Sequence, residues 1–84
     1  MLLAMVEGSA VATVKHPSLV GWKVLIVQPL DIDGQPDGDV LMAIDKLGAG
    51  VGTTVVISND GRSAREMVGD NRSPVRWTVI GIVD

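Results

Sequence analysis

Two short runs, Val24-Leu25-Ile26-Val27 and Val79-Ile80-Gly81-Ile82-Val83, carry no polar side chain in a chain of 84 residues. A strand half-buried in a small monomer alternates apolar and polar positions, because one face meets the core and the other meets water. Runs apolar at every position need cover on both faces. A chain this short predicts one domain, residues 1–84, burying only roughly 60 to 65% of the surface its unfolded form exposes. It leaves no room for a second sheet or a long helix. The expectation is therefore that neighbouring copies cover the outer faces, making the protein an obligate homo-oligomer. A barrel whose loops fold over one end is the alternative that needs no partner.

Composition removes other sources of stability and several functions. With no cysteine and one histidine, the chain has neither a disulfide framework nor a thiolate metal site, and imidazole ligation is nearly out of reach. Ten acidic side chains against seven basic ones leave a formal charge of -3, which argues against binding phosphate backbones through clustered Lys and Arg. The apolar opening Met1 to Val6 has no basic flank and meets Glu7 before reaching signal-peptide length. No apolar run approaches the ~18 to 20 residues that span a bilayer. The expectation is a soluble, cytosolic protein with no nucleic-acid or membrane partner.

Along the chain, β-branched runs alternate with clusters of Gly, Pro, Asn and Asp, the pattern of an all-β barrel or sandwich. The first run is Ala4 to Val14, with Gly8 as a bend or bulge, ended by His16-Pro17-Ser18. Trp22 to Pro29 and Val40 to Lys46 pair across the turn-forming stretch Asp31 to Asp39 as a hairpin. Thr53 to Ser58 and Arg76 to Val83 complete the strands. Ser63 to Met67 is the one helical segment: Ser63 can cap its first turn, with Glu66 completing a capping box, and Gly69 and Pro74 hold it to about two turns.

Motifs that suggest chemistry do not survive their details. The loop from Asp31 has Pro36 and Met42 where a calcium loop needs its turn Gly and bidentate Glu, so it reads as a solvated hairpin tip. Gly48-Ala49-Gly50-Val51-Gly52 resembles a phosphate cradle, yet a strand follows it rather than a helix, and no Lys-Ser or Lys-Thr pair comes after the glycines. It is expected to be a close-approach loop, near a symmetry axis or a neighbouring chain, with Gly50 at positive φ or in tight contact. His16 and Ser18 have no orienting third group and are loop residues. Arg62, Arg65, Arg72 and Arg76 cluster in the last third, away from the acidic hairpin; Arg65, beside Ala64, is the candidate for a bidentate contact to a carboxylate. Trp22 and Trp77 are the only aromatics, too few for a stacking platform, and are expected in the core or a subunit interface. No catalytic, cofactor-binding or metal-binding residue is expected.

Taken together, Leu3-Ala4 with Gly8 and Val11-Ala12-Thr13, Leu25-Ile26-Val27, Ala43-Ile44-Asp45, Gly48-Ala49-Gly50-Val51-Gly52, Ser63-Ala64-Arg65, Pro74-Val75 and the terminal Val79-Ile80-Gly81-Ile82-Val83-Asp84 resemble the EutN/CcmL family of bacterial microcompartment vertex proteins. The resemblance covers nearly the whole chain. It implies a small five-stranded OB-like barrel with one short helix, assembled as a homopentamer that caps the vertices of a polyhedral shell beside hexameric or pseudohexameric shell proteins. It implies no enzymatic activity and no cofactor. The chain departs from the family's usual pattern at Arg62, where Ser is common, at Arg76, where Asp is usual, and at Thr53, where an acidic residue often follows the glycines. The rival class is an OB-type binding module for single-stranded nucleic acid or a small ligand.

Overall fold

The computed structural model describes residues 1–9, 22–69 and 76–83. Five strands, β1 (Leu2–Ser9), β2 (Lys23–Pro29), β3 (Leu41–Asp45), β4 (Thr54–Asn59) and β5 (Trp77–Val83), close into a barrel in the order β1-β2-β3-β5-β4. One helix, α1 (Gly61–Val68), crosses between β4 and β5. This is the five-stranded barrel with one short helix that the resemblance implied. All neighbours are antiparallel except β3 and β5, which run parallel and meet only through Ala43 with Trp77 and Ile44 with Thr78.

Side chains alternate across the barrel wall, as a pleated strand requires. Ala4 and Val6 of β1, Leu25 and Val27 of β2, and Val55 and Ile57 of β4 point inward and are fully enclosed. The interior of so narrow a barrel takes no larger residue than Leu or Ile, so an aromatic-poor sequence suits it. Trp77 packs against the side of this core while remaining half-buried. A register shift between Val6 and Gly8 places a bulge in β1 where Gly8 predicted one.

The outer faces of the two apolar runs have different fates. On β2, Val24 is buried with Ile44 beneath Ala64 of α1, and Ile26, Met67 and Val68 pack around them. The expectation that a second copy covers this face is thus corrected: a helix of only eight residues supplies the cover. On β5, Val83, level with Thr54, stays 46% exposed on the outer face with no cover among the described residues. Ile82 instead stands level with the inward-facing Val55, and Ile80, 48% exposed, lies at a register shift. The end of the first run with His16 and Ser18, and the stretch holding Arg72, Pro74 and Val75, lie outside the described residues.

Candidate assembly surface

The glycine-rich loop leaves β3 through Asp45, a carboxylate only 4% exposed. Its Oδ1 accepts the backbone N–H of Leu47 at 2.8 Å and its Oδ2 that of Ala49 at 2.8 Å. Lys23 at the start of β2 donates from Nζ to the Ala49 carbonyl at 3.0 Å and stands 3.9 Å from Asp45 Oδ2. A buried carboxylate is tolerated because charge-assisted bonds replace its water. The result folds Ala49, 1% exposed, into the main core as a plug at this end of the barrel.

The rest of the loop turns outward. Gly48 and Gly52 have φ of 82° and 87°, a left-handed backbone that suits glycine, whereas Gly50 does not. A Cβ on Gly50 would meet nothing nearer than Thr53 Oγ1 at 3.9 Å. The expected strain or crowding at Gly50 is therefore absent within the described chain; the turn geometry falls on the flanking glycines. Val51 projects, 72% exposed. Gly52 donates to the Val6 carbonyl at 2.8 Å, Val6 donates to the Thr53 carbonyl at 2.9 Å, and Thr53 donates to the Gly50 carbonyl at 3.1 Å. Thr53 thus closes the loop through its backbone.

At α1 the cap is Asp60, not Ser63. Asp60 Oδ1 accepts the Ser63 N–H at 3.0 Å, and the Ser63 hydroxyl donates to Asp60 Oδ2 at 2.9 Å. The helix starts at Gly61, two residues before the expected start, because an anionic oxygen at the N-cap reaches the free amide of the third helical residue. Both bonds from Ser63 hold the Asp60 carboxyl below its ordinary pKa of 3.8. Glu66, expected to complete a capping box with Ser63, instead pairs with Arg62 at 3.3 Å on the solvent side. Gly69 ends the helix in the left-handed region, its N–H donating to the Arg65 and Glu66 carbonyls.

Arg65 lies half-buried and folds back over the helix start. A Cβ on Gly61 would fall 2.9 Å from Arg65 Nη1 and 2.8 Å from Arg76 Cδ. Gly61 thereby makes room for two arginine side chains over one turn of backbone. Among the described residues no carboxylate pairs with Arg65. Both tryptophans are engaged: Trp77 on the core, and Trp22 under Lys46, whose Nζ sits 5.4 Å from the ring centroid. No cluster of three or more His, Asp or Glu suited to a metal occurs among the described residues, and no helix there is long and apolar enough to cross a membrane.

What the described surface does offer is apolar. On the outer face of β1, Leu3 and Met5 are 46 and 40% exposed; on β3 and just before it, Met42 and Val40 are 54 and 50% exposed. These positions escaped the sequence reading, since single apolar residues at a strand face look like core until the barrel fixes which way they point.

The architecture is that of the microcompartment shell vertex proteins. Residues 1–84 match the family described as "Ethanolamine utilisation protein EutN/carboxysome", and the chain belongs to this EutN/CcmL family. It is 46% identical over 84 residues to the bacterial microcompartment shell vertex protein EutN of Salmonella typhimurium, covering 100% of this chain and 84% of that one. It is 40% identical to the carboxysome shell vertex protein CcmL of Gloeobacter violaceus, covering 100% and 83%. Among solved structures, the ethanolamine utilization protein EutN superposes with a TM-score of 0.80 at 46% identity, covering 100% of this chain and 86% of that one. The GrpN pentameric microcompartment shell protein from Rhodospirillum rubrum superposes with a TM-score of 0.79 at 40% identity, covering 100% and 94%.

Proposed function

We propose that residues 1–84 form a single domain that assembles as a cyclic homopentamer and caps the vertices of a microcompartment shell in the bacterial cytoplasm. Its activity is assembly rather than catalysis. The observation that carries this reading is the uncovered apolar wall of a closed barrel in a member of the vertex family: Leu3, Met5 and Val83 face outward with nothing from the described chain above them. Exposed apolar surface of this kind marks an interaction site. Fivefold closure supplies the curvature that flat layers of hexameric or pseudohexameric shell proteins lack, so those proteins are its partners. Arg65 and the projecting Val51 of the Gly48 to Gly52 loop are the proposed secondary contacts to the neighbouring subunit. The family identity supports this over a binding module, as does the engagement of both tryptophans, which leaves no stacking platform. Co-expression with hexameric shell proteins tests the role: closed polyhedra with the chain and open sheets or tubes without it support capping. Identical particles in both samples reject it.

A further inference from the structure

We infer that Arg65 and Arg76 form a clamp over Gly61 that binds a phosphate dianion. The clamp lies within one subunit and does not depend on the ring proposed above.

Strand register and helix spacing bring the two cations together. Asn59 of β4 lies level with Trp77 of β5, so the chain entering α1 and the residue before β5, Arg76, come side by side. Arg65 follows Gly61 by one helical turn and shares its face of α1. At Gly61 the two side chains meet. The point where a Cβ would stand is 2.9 Å from Arg65 Nη1, 2.8 Å from Arg76 Cδ and 3.5 Å from Arg76 Nε. Two guanidinium groups thus converge over bare backbone, in space that any side chain on Gly61 would fill. Arg65 is half-buried and Arg76 exposed, so the pair is open to water.

Other described cations are placed differently. Lys23 faces Asp45, Lys46 faces the ring of Trp22, and Arg62 faces Glu66. Arg65 has a second guanidinium beside it and no carboxylate partner among the described residues. The nearby acids are spent: Glu66 is taken by Arg62, and Asp60 gives one oxygen to the Ser63 amide and the other to its hydroxyl. Like charges this close repel, and a doubly charged oxyanion between them replaces that repulsion with attraction while accepting N–H bonds from both planar forks. A monovalent carboxylate balances only one of the two charges, which selects phosphate. Each guanidinium carries five N–H donors, so Arg76 keeps the interaction it already has and Arg65 retains donors for a neighbouring subunit.

Unfolding midpoints measured in inorganic phosphate, at ionic strength held constant with sodium chloride, test the clamp. Ligand that binds the folded chain raises the midpoint as its concentration rises. The parent should therefore climb with millimolar phosphate and stay level in acetate at the same concentration. Arg65→Gln and Arg76→Gln, each read against its own phosphate-free midpoint, should lose the climb. Gly61→Ala keeps every charge but puts a Cβ into the shared space, and should lose it as well. Arg62→Gln makes the same change of charge outside the clamp and should respond like the parent. A parent indifferent to phosphate overturns the inference. So does a climb that Arg65→Gln or Gly61→Ala retains in full, which would mark a general salt effect rather than a site.

Discussion

Asp45 and Ala49 are joined by a carboxylate-to-amide bond of 2.8 Å that turns the glycine-rich loop into the barrel. The same carboxylate takes the Leu47 amide, and Lys23 holds the Ala49 carbonyl from the other side. The loop is thus a braced plug, with only its outer turn available to a neighbour. Asp45→Ala leaves two amides short of their acceptor and removes the anion facing Lys23. The expected cost is roughly 2 to 4 kcal/mol, since bonds to charged groups contribute more than neutral ones and both are lost together. Asp33→Ala, on the exposed hairpin tip, should change little. Denaturant midpoints of the two variants check this, and equal values would mean that Asp45 does not brace the loop.

The flanking glycines of that loop should be less replaceable than its middle one. Gly48→Ala and Gly52→Ala force a Cβ into the left-handed region, costing about 1 to 2 kcal/mol each. Gly50→Ala has ordinary backbone and open space within the subunit. Its fold stability should match the parent's. Ring stability read separately then reports any contact that Gly50 makes with a neighbour.

Asp60→Ala should lower the unfolding midpoint more than Ser63→Ala, because it removes the acceptor for both the amide and the hydroxyl of Ser63. The effect has a pH signature. A carboxyl held below its ordinary value stabilises the fold fully above the unfolded pKa of 3.8, and that contribution fades as pH falls through the lower folded value. The gap between parent and Asp60→Ala should therefore be constant near neutrality and shrink below pH 3.8. A gap that persists undiminished in acid contradicts the cap.

Gly61→Ala tests whether Arg65 works at a subunit contact. The new Cβ displaces the guanidinium of Arg65 and the stem of Arg76, both flexible, so the isolated fold should lose no more than about 1 kcal/mol after the gain in helix propensity. If Arg65 reaches a neighbour, Gly61→Ala should loosen the oligomer about as much as Arg65→Ala, and Arg62→Ala should not. Dissociation midpoints on dilution decide it.

Much of this protein was legible before folding. Strand positions followed from β-branched runs between turn residues, and Gly8 announced the bulge because a strand glycine packs nothing. The cap was misplaced by three residues: Ser63 with Glu66 fits the local pattern, but Asp60 offers a charged acceptor and sits before Gly61, and a capping box cannot weigh that. Cover over Val24 and Ile44 came from α1, whose single small buried residue, Ala64, lets the helix approach closely without the long apolar stripe that would have advertised it. The brace from Asp45 left no sequence signal, since a carboxylate before a glycine-rich loop reads as an ordinary exposed turn. Which apolar residues face outward depended on barrel closure, a long-range pairing that no local window contains.

The central claim is a ring of five copies held by apolar walls of the barrel. Native mass spectrometry of the purified parent chain at micromolar concentration tests it most directly. The account predicts one dominant species at five times the 8.8 kDa subunit mass, without intermediate oligomers. A clean monomer, or a dimer formed by one self-pairing face, contradicts it.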